Sequence, residues 1–523
     1  MKYSKSLDIL LNKFKKLKLT KYKKEKYVLV FCRHHVNNTI RQCILAKCFN
    51  TLRGTKTIAV CDIKNDASDF IYQKLNFDKI FYTKDLFSIQ NIFSNVKIIL
   101  EFVPEIIKLL ISKNYLNNFI KKFRFNEILY GDIIYDTYIR HGHKYRKLSR
   151  LKYVFSFLKI YFIIRLKINL INSINTKYNI DKIIISSKGF IVTGNLALRI
   201  FSGMSKKPIF LADKSYKIYK KKDYLYSFHK AFKEDLSKLP INKYKKKIDK
   251  YFNDKYKKFI ISDQSYVKKE TLEESYKVQS SKKSVNSFFI NKKQIAIIAL
   301  NSFSDSPHYQ GTLLFRDYYD WFEKTVNYIA KNKISNTHWI IKTHPAQQDN
   351  GRMSYNEISI VDEVMSKNKF KNLEMMPANV NNRDLFRYAS QCITCVSTIG
   401  LEFACFGKKP IICGDAAYTG LGFTKTVSSQ GKYFSLLKNL PSNNLLNEKQ
   451  IYAAKSTIFA LDQIKQNNLK IKNSSLPYRY TQNQALNDNE YIDLLNKNFN
   501  KNKKDITHDD YYRKLLHHAK KVF

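Results

Sequence analysis

The sequence has 523 residues, of which 44% are hydrophobic and 14% aromatic, so it can bury a sizeable core. Its formal charge is +50, from 93 lysines and arginines against 43 aspartates and glutamates, which excludes an acidic surface and favours a polyanionic partner. Such partners are nucleic acid, an anionic membrane face, or a sugar nucleotide and an acidic glycan. Because the lysines are spread along the chain, a lysine-rich genome composition is the alternative explanation.

The eight cysteines fall into two groups, four between Cys32 and Cys61 and four between Cys392 and Cys413. Cys392 and Cys395 form a single C-x-x-C pair, and no second pair with metal-ligand spacing follows it. We therefore interpret the cysteines as buried free thiols of a reducing cytosol, and we predict no bound metal.

No apolar run reaches the roughly 18 to 20 residues of a membrane span, and the basic N-terminal segment, residues 1–26, lacks the apolar core of a signal peptide. We therefore expect a cytoplasmic protein. The most apolar stretch, YVFSFLKIYFIIRLKINLI from Tyr153, is interrupted by Lys159, Arg165 and Lys167. It is typical of a basic amphipathic helix that packs inside a domain, and docking on the cytoplasmic face of a membrane is the alternative.

Strand-like and helix-like segments alternate along the first half of the chain. The apolar run KYVLVFCRH is followed by a helical stretch over residues 37–52 and a second strand, TKTIAVCD, which together begin a β–α–β unit. The segments DKIIISS and KPIFLAD repeat this pattern around a further helix. The alternation predicts a parallel α/β domain with helical insertions over residues 1–267.

A second α/β series follows a polar segment rich in lysine and serine, residues 268–287, which we interpret as a linker. The strands KQIAIIAL, THWIIKTH, QCITCV and KPIICGD alternate with helix-like runs over residues 288–435. Residues 436–523 predict a mostly helical, basic tail that packs back on the domains. Ligands of open parallel sheets bind beyond the carboxyl ends of the strands, so we expect the chemistry there.

A histidine and a proline follow the strand HWIIK. His344 can donate a hydrogen bond to an anionic oxygen or deliver a proton, since the ordinary pKa of histidine is about 6.5. Pro345 stiffens the turn because its φ is fixed and it has no N–H, and Lys342 adds a positive charge at the end of the strand. The alternative is a histidine that caps its own loop.

The strand CITCV ends at Ser397 and Thr398, where a helix is predicted to begin. Hydroxyls and unpaired backbone N–H groups at a helix N-terminus form an anion site. Gly400 would let a ligand approach the backbone, and Glu402 lies one turn further on, where it could meet a ribose hydroxyl. Plain N-capping is the alternative. Together with His344 at another strand end, these residues predict a phosphate site.

The segment GDAAYTGLGFT, residues 414–424, follows the strand KPIICGD and contains three glycines. We interpret it as a loop that closes on the ligand, with Tyr418 and Gly420 as candidate ligand-binding residues. A turn-rich connection between elements is the alternative.

Three segments resemble a known family: NSFSDSPHYQGTLLFRDYYDWFEKTV, IIKTHPAQ and STIGLEFACFGKKPIICGDAAYTGLGFT, which together span about residues 299–424. They resemble the bacterial capsule polysaccharide biosynthesis proteins, which include the retaining β-Kdo transferases of capsule export systems. YGDIIYDTYIRHG and IIISSKGFIVTGNLALRIF are similar to this family less sharply. The resemblance implies a GT-B-like pair of Rossmann-like domains and a CMP-activated acidic sugar such as Kdo as donor, without a cofactor. It also implies a growing cell-surface glycan or its lipid-linked primer as acceptor.

The resemblance also implies roles for single residues. His344 and Pro345 match the family's His-Pro element, which meets the donor phosphate, and the element for phosphate and ribose is matched by Ser397, Thr398 and Glu402. Asp305, in FSDS, matches an aspartate that stands before the first helix of the C-terminal domain. A tryptophan or similar residue often precedes that aspartate in the family, whereas Phe303 and Ser304 stand here.

Transfer from a CMP-sugar passes through an oxocarbenium-like transition state, which needs a carboxylate as base or nucleophile. Asp132, Asp136 and Arg140 would share one face of a helix at i, i+4 and i+8. Either aspartate is therefore a candidate for this role, with Asp305 as the third. A surface ion pair of little energetic value is the alternative.

The sequence leaves two other classes of function open. Polyol-phosphate polymerases that use CDP-glycerol also pair a His-Pro loop with a serine-rich helix start, although residues 414–424 match the capsule family better. A basic binding protein for nucleic acid or an anionic membrane would show affinity that falls steeply with salt. For the transferase we expect a nucleotide-sugar donor, a glycan or glycolipid acceptor, and peripheral contact with the inner membrane and the capsule export machinery, but no specific nucleic acid.

Overall fold

The structure is a computed structural model. It describes residues 25–32, 36–61, 69, 72, 76–83, 92–112, 114–140, 150–185, 196–204, 209–212, 216–219, 244–257, 294–308, 311–344, 357–376, 382–441 and 444–466. The chain divides into two compact units. The first comprises residues 1–138, 149–224 and 464–523, and the second comprises residues 139–148 and 225–463.

The first unit is built on a six-stranded sheet. In chain order its elements are β1 (Tyr27–Cys32), α1 (Val36–Arg53), β2 (Lys56–Cys61), β3 (Lys79–Tyr82), α2 (Ile92–Ile111), α3 (Tyr115–Lys122), β4 (Arg124–Phe125), β5 (Ile128–Leu129), α4 (Gly131–Ile139), α5 (Arg150–Lys177), β6 (Ile180–Ile185), α6 (Leu196–Met204), β7 (Ile209–Ala212) and β8 (Tyr216–Tyr219). The strand order is β3-β2-β1-β6-β7-β8. Neighbours are parallel except β7 and β8, and β4 and β5 form a separate antiparallel pair.

The central strands of this sheet are continuous apolar runs, as parallel strands are when helices cover both faces. Leu29 of β1 pairs with Ile183 of β6, and Val30 pairs with Ile184, and all four side chains are fully buried. The alternating pattern of a half-exposed sheet is absent from these two strands, so they form the middle of the core.

Helices α2, α3 and α5 pack together through aromatic rings. Phe102 of α2 stacks on Tyr161 of α5 with ring centroids 4.6 Å apart. Phe119 of α3 stacks on Phe157 of α5 with centroids 5.3 Å apart. These helices are the predicted insertions, and they lie in the chain between β3 and β6.

The second unit contains another six-stranded sheet. Its elements are α7 (Lys245–Lys257), β9 (Ile295–Ala299), α8 (Tyr318–Lys331), β10 (His338–Lys342), α9 (Glu357–Lys367), β11 (Leu373–Met375), α10 (Asn382–Tyr388), β12 (Gln391–Thr394), α11 (Thr398–Cys405), β13 (Ile411–Ile412), β14 (Lys425–Thr426), α12 (Gln430–Lys438) and α13 (Glu448–Gln466). The order is β11-β10-β9-β12-β13-β14 with every pair parallel.

Both sheets follow one strand order. Numbered within each six-stranded sheet, the strands run 3-2-1-4-5-6, which is the order of Rossmann folds. This confirms the predicted fold class of two Rossmann-like α/β domains in one chain, as a GT-B-like protein contains.

The unit boundaries differ from the predicted domains at residues 225–267, which belong to the second unit and not to the first. Helix α7 lies in this stretch. It packs through Phe252 against Phe406 of the second unit, with ring centroids 5.8 Å apart. The aromatic contacts of α7, which composition does not reveal, therefore set this boundary. The predicted linker, residues 268–287, lies outside the described residues.

The predicted tail is also divided. Residues 436–463, which include α12 in part and most of α13, belong to the second unit, whereas residues 464–523 are grouped with the first. Of the helices that the structure describes, none is long and apolar enough to cross a membrane. The cysteines whose side chains are described are all buried and form no disulfide.

Candidate functional site

The carboxyl ends of β10, β9 and β12 meet at one edge of the second sheet. β9 is the middle strand, since it pairs with β10 on one side and β12 on the other. The strand order reverses between β9 and β12, and this is the switch point where open α/β sheets bind ligands. Strands lie about 4.8 Å apart, so groups at the ends of β10 and β12 are about 10 Å apart. His344 and Ser397 therefore lie at the same edge.

His344 lies two residues beyond the end of β10, and its side chain is partly buried. Burial of the ring, with the positive charge of Lys342 as the second cause, lowers the pKa of His344 to about 4. The imidazole is therefore neutral at neutral pH, and it offers one N–H as a donor and one nitrogen as an acceptor. Pro345 lies outside the described residues.

Lys342 and Glu402 are two charged residues close to this edge. The Nζ of Lys342 donates to the backbone carbonyl of Thr343 at 3.2 Å. Burial lowers the pKa of Lys342, while the neighbouring Glu402 and Cys392 act in the opposite direction. Glu402 lies on α11 and is only 5% exposed. Glu402 thus serves as a counter-charge to Lys342 within the protein itself.

The lowered pKa of His344 makes part of the folding free energy depend on pH. Between about pH 6.5 and pH 4, the unfolded chain binds a proton at this histidine and the folded chain does not. The stability that the folded protein gains from keeping His344 neutral is complete above pH 6.5 and is lost as the pH falls toward 4. We expect the difference in unfolding free energy between the wild type and His344→Asn to shift in favour of the variant over this range. Urea denaturation at several pH values measures it, and a constant difference would contradict the assignment.

Helix α11 begins at the predicted place. Ser397 is its N-cap, and its Oγ accepts from the N–H of Ile399 at 3.4 Å. Thr398, in the first turn, is exposed. Beneath them the Oγ1 of Thr394 donates to the carbonyl of Ala299 at 2.9 Å, which ties β12 to β9 at the switch point. The hydroxyl of Ser397 thus works as a cap, whereas Thr398 is exposed, and the predicted anion site at this helix end stays a prediction.

Gly400 is closely packed by the protein itself. A Cβ at this position would lie 2.6 Å from the hydroxyl of Tyr418, 3.1 Å from Cδ1 of Ile412 and 3.2 Å from Cγ2 of Thr394. Tyr418 is fully buried, and its hydroxyl donates to the carbonyl of Ser397. Burial raises the pKa of Tyr418, so the hydroxyl keeps its proton. The glycine therefore makes room for Tyr418, where the sequence analysis expected room for a ligand.

We expect Gly400→Ala to lower the free energy of unfolding by about 1–3 kcal/mol, because the methyl group would overpack a filled site. Gly431 provides the matched control, since it is also helical and has no atom within 4 Å of its Cβ position. Gly431→Ala should stabilise the protein by up to about 1 kcal/mol through helix propensity. Urea denaturation of both variants measures the contrast, and equal effects would contradict this packing.

A carboxylate that the sequence analysis missed holds the loop after β9. Glu357, at the start of α9, is 1% exposed. It accepts from the N–H groups of Phe303 at 2.9 Å and Ser304 at 2.8 Å, and from the hydroxyl of Ser302 at 3.2 Å. This fixes the segment that leads to Asp305, whose side chain is 57% exposed. No local pattern marks Glu357, because its partners lie 53 to 55 positions away in the chain.

The predicted catalytic carboxylates have different surroundings. Asp132, at the start of α4, forms a buried two-pronged ion pair with Arg199 of α6. Asp136, one turn later, is also buried. Arg140, which is grouped with the second unit, lies 3.7 Å from Asp305. The pairing with Arg199 gives Asp132 a structural role, so Asp136 and Asp305 are the better candidates for chemistry.

The glycine-rich segment after β13 is fixed at its beginning. The carboxylate of Asp415 accepts from the N–H and the hydroxyl of Thr312 at 2.9 and 2.6 Å. The Oγ1 of Thr419 accepts from the N–H of Ala416 at 2.9 Å. Gly420 is exposed and has φ +77°, in the left-handed region that favours glycine. The second half is anchored as well, since Phe423 is fully buried and the carbonyl of Gly422 accepts from Nε2 of Gln450 at 2.9 Å. Closure of this segment on a ligand stays a prediction.

Comparison with known families gives one match. Residues 219–463 match the model of the capsule polysaccharide biosynthesis protein family, which confirms the resemblance seen in the sequence. The matched range includes the whole second sheet and the edge described above. Among curated proteins, none matches this chain.

Three solved structures are similar to the chain. The β-Kdo 2,4 transferase of KpsC from Thermosulfurimonas dismutans is 16% identical over 32% of this chain and 46% of that one, with TM-score 0.21. The β-Kdo 2,7 transferase of the same protein is 15% identical over 56% and 80%, with TM-score 0.30. A glycosyltransferase from Rickettsia africae ESF-5 is 11% identical over 85% and 97%, with TM-score 0.28. This chain thus spans less than half of the first structure, and its fold assignment depends on its own sheets alone.

Proposed function

We propose that this chain, with its match to the capsule polysaccharide biosynthesis family, is a glycosyltransferase that moves an acidic sugar such as Kdo from a CMP-activated donor to a glycan or lipid-linked acceptor. The observation that carries the proposal is the edge of the second sheet, where Lys342 and His344 stand at the end of β10 and the first turn of α11 follows β12, on either side of β9. This edge is at the switch point of a Rossmann-like sheet, the usual place for a nucleotide.

The edge suits a phosphate that joins a nucleoside to a sugar. The neutral imidazole of His344 can donate one hydrogen bond to a phosphate oxygen, and the N-terminus of α11 with Thr398 supplies further donors. Glu402 lies close enough to Lys342 to oppose the lowering of its pKa. Lys342 therefore shares its charge with Glu402 and with any phosphate bound at this edge.

In the proposed reaction, the bond between the anomeric carbon and the phosphate oxygen breaks, and CMP leaves with the bonding electrons. Donors around the phosphate stabilise the charge that develops on the leaving group. The acceptor hydroxyl forms the new bond and gives its proton to a carboxylate. Alternatively, a carboxylate attacks first and displaces CMP, and the acceptor hydroxyl then displaces this carboxylate, which takes up the hydroxyl proton. Asp305 and Asp136 are the candidates for this carboxylate.

The CMP-sugar is a substrate, and we propose that no cofactor takes part. In the described part of the chain, no three His, Cys, Asp or Glu side chains are grouped as metal ligands would be. Metal independence itself stays a prediction. A cytoplasmic site on the inner face of the membrane, next to the capsule export machinery, belongs to the same proposal.

Release of CMP from two donors tests the function. The protein is incubated with CMP-Kdo or with CDP-glycerol, each with and without a Kdo-terminated glycolipid acceptor, and free CMP is measured. We expect CMP to be released from CMP-Kdo but not from CDP-glycerol, and only when the acceptor is present. Release from CDP-glycerol alone would assign a polyol-phosphate transferase. Binding of both donors and of unrelated polyanions, weakened alike by salt and without release, would assign a basic binding protein.

A further inference from the structure

Helix α2 of the first unit carries apolar side chains on two opposite faces. On the inner face Ile98, Phe102 and Leu109 are buried. The outer face carries Val96, Leu100, Ile107 and Ile111, which are between 47% and 76% exposed. Their spacing of four, seven and four residues aligns them in one stripe. The stripe is about 22 Å long, from the helical rise of about 1.5 Å per residue.

The first turns of α5 add to this exposed apolar surface. Leu151 and Phe155 lie four residues apart and are 61% and 68% exposed. Between them in the chain, the buried Tyr153 donates through its hydroxyl to the carbonyl of Leu109 at 3.1 Å. The start of α5 therefore lies beside the end of α2. We define the α2–α5 face as Val96, Leu100, Ile107, Ile111, Leu151 and Phe155.

The helices that carry this face also carry exposed lysines, and the two carboxylates of α2 are paired. Seven lysines on α2, α3 and α5 are exposed: Lys97, Lys108, Lys121, Lys122, Lys152, Lys159 and Lys177. Glu101 of α2 pairs with Arg165 at 2.8 Å, and Glu105 pairs with Lys108 at 2.8 Å. The two carboxylates of α2 are thus paired with neighbours, and exposed lysines directly follow two of the apolar side chains in the chain, Lys97 after Val96 and Lys152 after Leu151. The exposed parts of α2 and α5 therefore carry a net positive charge.

We propose that the α2–α5 face docks on a lipid surface with anionic headgroups. Exposed aliphatic and aromatic side chains would enter the boundary between headgroups and acyl chains, and the lysines around them would meet the negative headgroups. Burial of a second copy is disfavoured, because two chains of +50 would repel each other. This proposal names a surface for the membrane location that belongs to the proposed function, while the enzymatic activity itself is tested separately by CMP release.

Co-sedimentation with vesicles tests the docking. The wild type, Ile107→Ser/Phe155→Ser and Leu445→Ser are mixed with vesicles of phosphatidylglycerol or phosphatidylcholine. At about 0.5 M salt, where purely electrostatic binding is screened, we expect the double variant to bind phosphatidylglycerol at least about tenfold more weakly than the wild type. Leu445, in the second unit, is 67% exposed and is the matched control, so its variant should bind like the wild type. Equal binding of all three proteins would overturn the proposal.

A fluorescence measurement keeps the test independent of folding effects. The two native tryptophans, Trp321 and Trp339, are fully buried, so a Phe155→Trp variant adds one exposed indole. We expect brominated lipids in phosphatidylglycerol vesicles to quench the added indole. Quenching no greater than in the wild type would overturn the proposal. A dimer in sedimentation velocity that Ile107→Ser/Phe155→Ser abolishes, with no effect on vesicle binding, would also overturn it.

Discussion

Asp132→Ala is expected to lower the free energy of unfolding by about 3–5 kcal/mol, because it leaves a buried arginine without its counter-charge. Asp132 and Arg199 are 3% and 4% exposed. Their two hydrogen bonds are 2.9 and 2.8 Å long, and the same guanidinium also donates to the carbonyl of Leu129. Arg199 stays charged at any accessible pH, so the charge cannot be relieved by proton loss. Urea denaturation followed by circular dichroism measures the change.

Two further variants distinguish the cost of leaving a buried charge unpaired from the small energetic value of an ordinary ion pair. Glu363→Ala removes a partner of Lys367 from a surface pair, where the lysine side chain is 68% exposed, and should cost at most about 1 kcal/mol. Asp132→Leu/Arg199→Met replaces both charges by apolar groups, and should recover most of the stability lost by Asp132→Ala. A stable but inactive Asp132→Ala protein would instead support the catalytic role that the sequence predicted for this carboxylate.

The sheets and the site edge could be predicted because their signals are local. β9 and β10 are short apolar runs bounded by polar residues, and a run of this kind followed by a helix indicates a parallel strand. His344 and Ser397 each come directly after such a strand. Since parallel strands end at the same edge of a sheet, their common location followed from chain order alone.

Contacts between distant parts of the chain could not be predicted. The spacing of Asp132 and Asp136 indicates one helical face, but nothing near them indicates that Arg199, 67 positions later, would bind the first of them. Gly400 was interpreted as space for a ligand, and that space holds the hydroxyl of Tyr418. The grouping of α7 with the second unit has the same origin, because Phe252 of α7 packs against Phe406, which follows α11 more than 150 positions later.

His344→Ala is expected to lower the turnover number for CMP release by about 10²-fold or more, the size found when one preorganised donor to a developing negative charge is removed. The neutral ring at the end of β10 is held by burial beside Lys342. It would donate to the phosphate oxygen that gains charge as the sugar leaves, and a methyl group cannot replace that hydrogen bond. Initial rates of CMP release at saturating CMP-Kdo measure the effect, and His344→Gln should keep more activity than His344→Ala because its amide can still donate.

His338 offers a matched control on the same strand. It stands at the amino end of β10, where its ring contacts Glu374 of β11, at the opposite edge of the sheet from His344. His338→Ala removes an imidazole of the same strand without touching the carboxyl edge, so its turnover should stay within about threefold of the wild type, less than 1 kcal/mol in the barrier. If both variants lost activity equally, the loss would come from damage to β10. If neither lost activity, the phosphate of the donor would lie elsewhere than at the carboxyl edge.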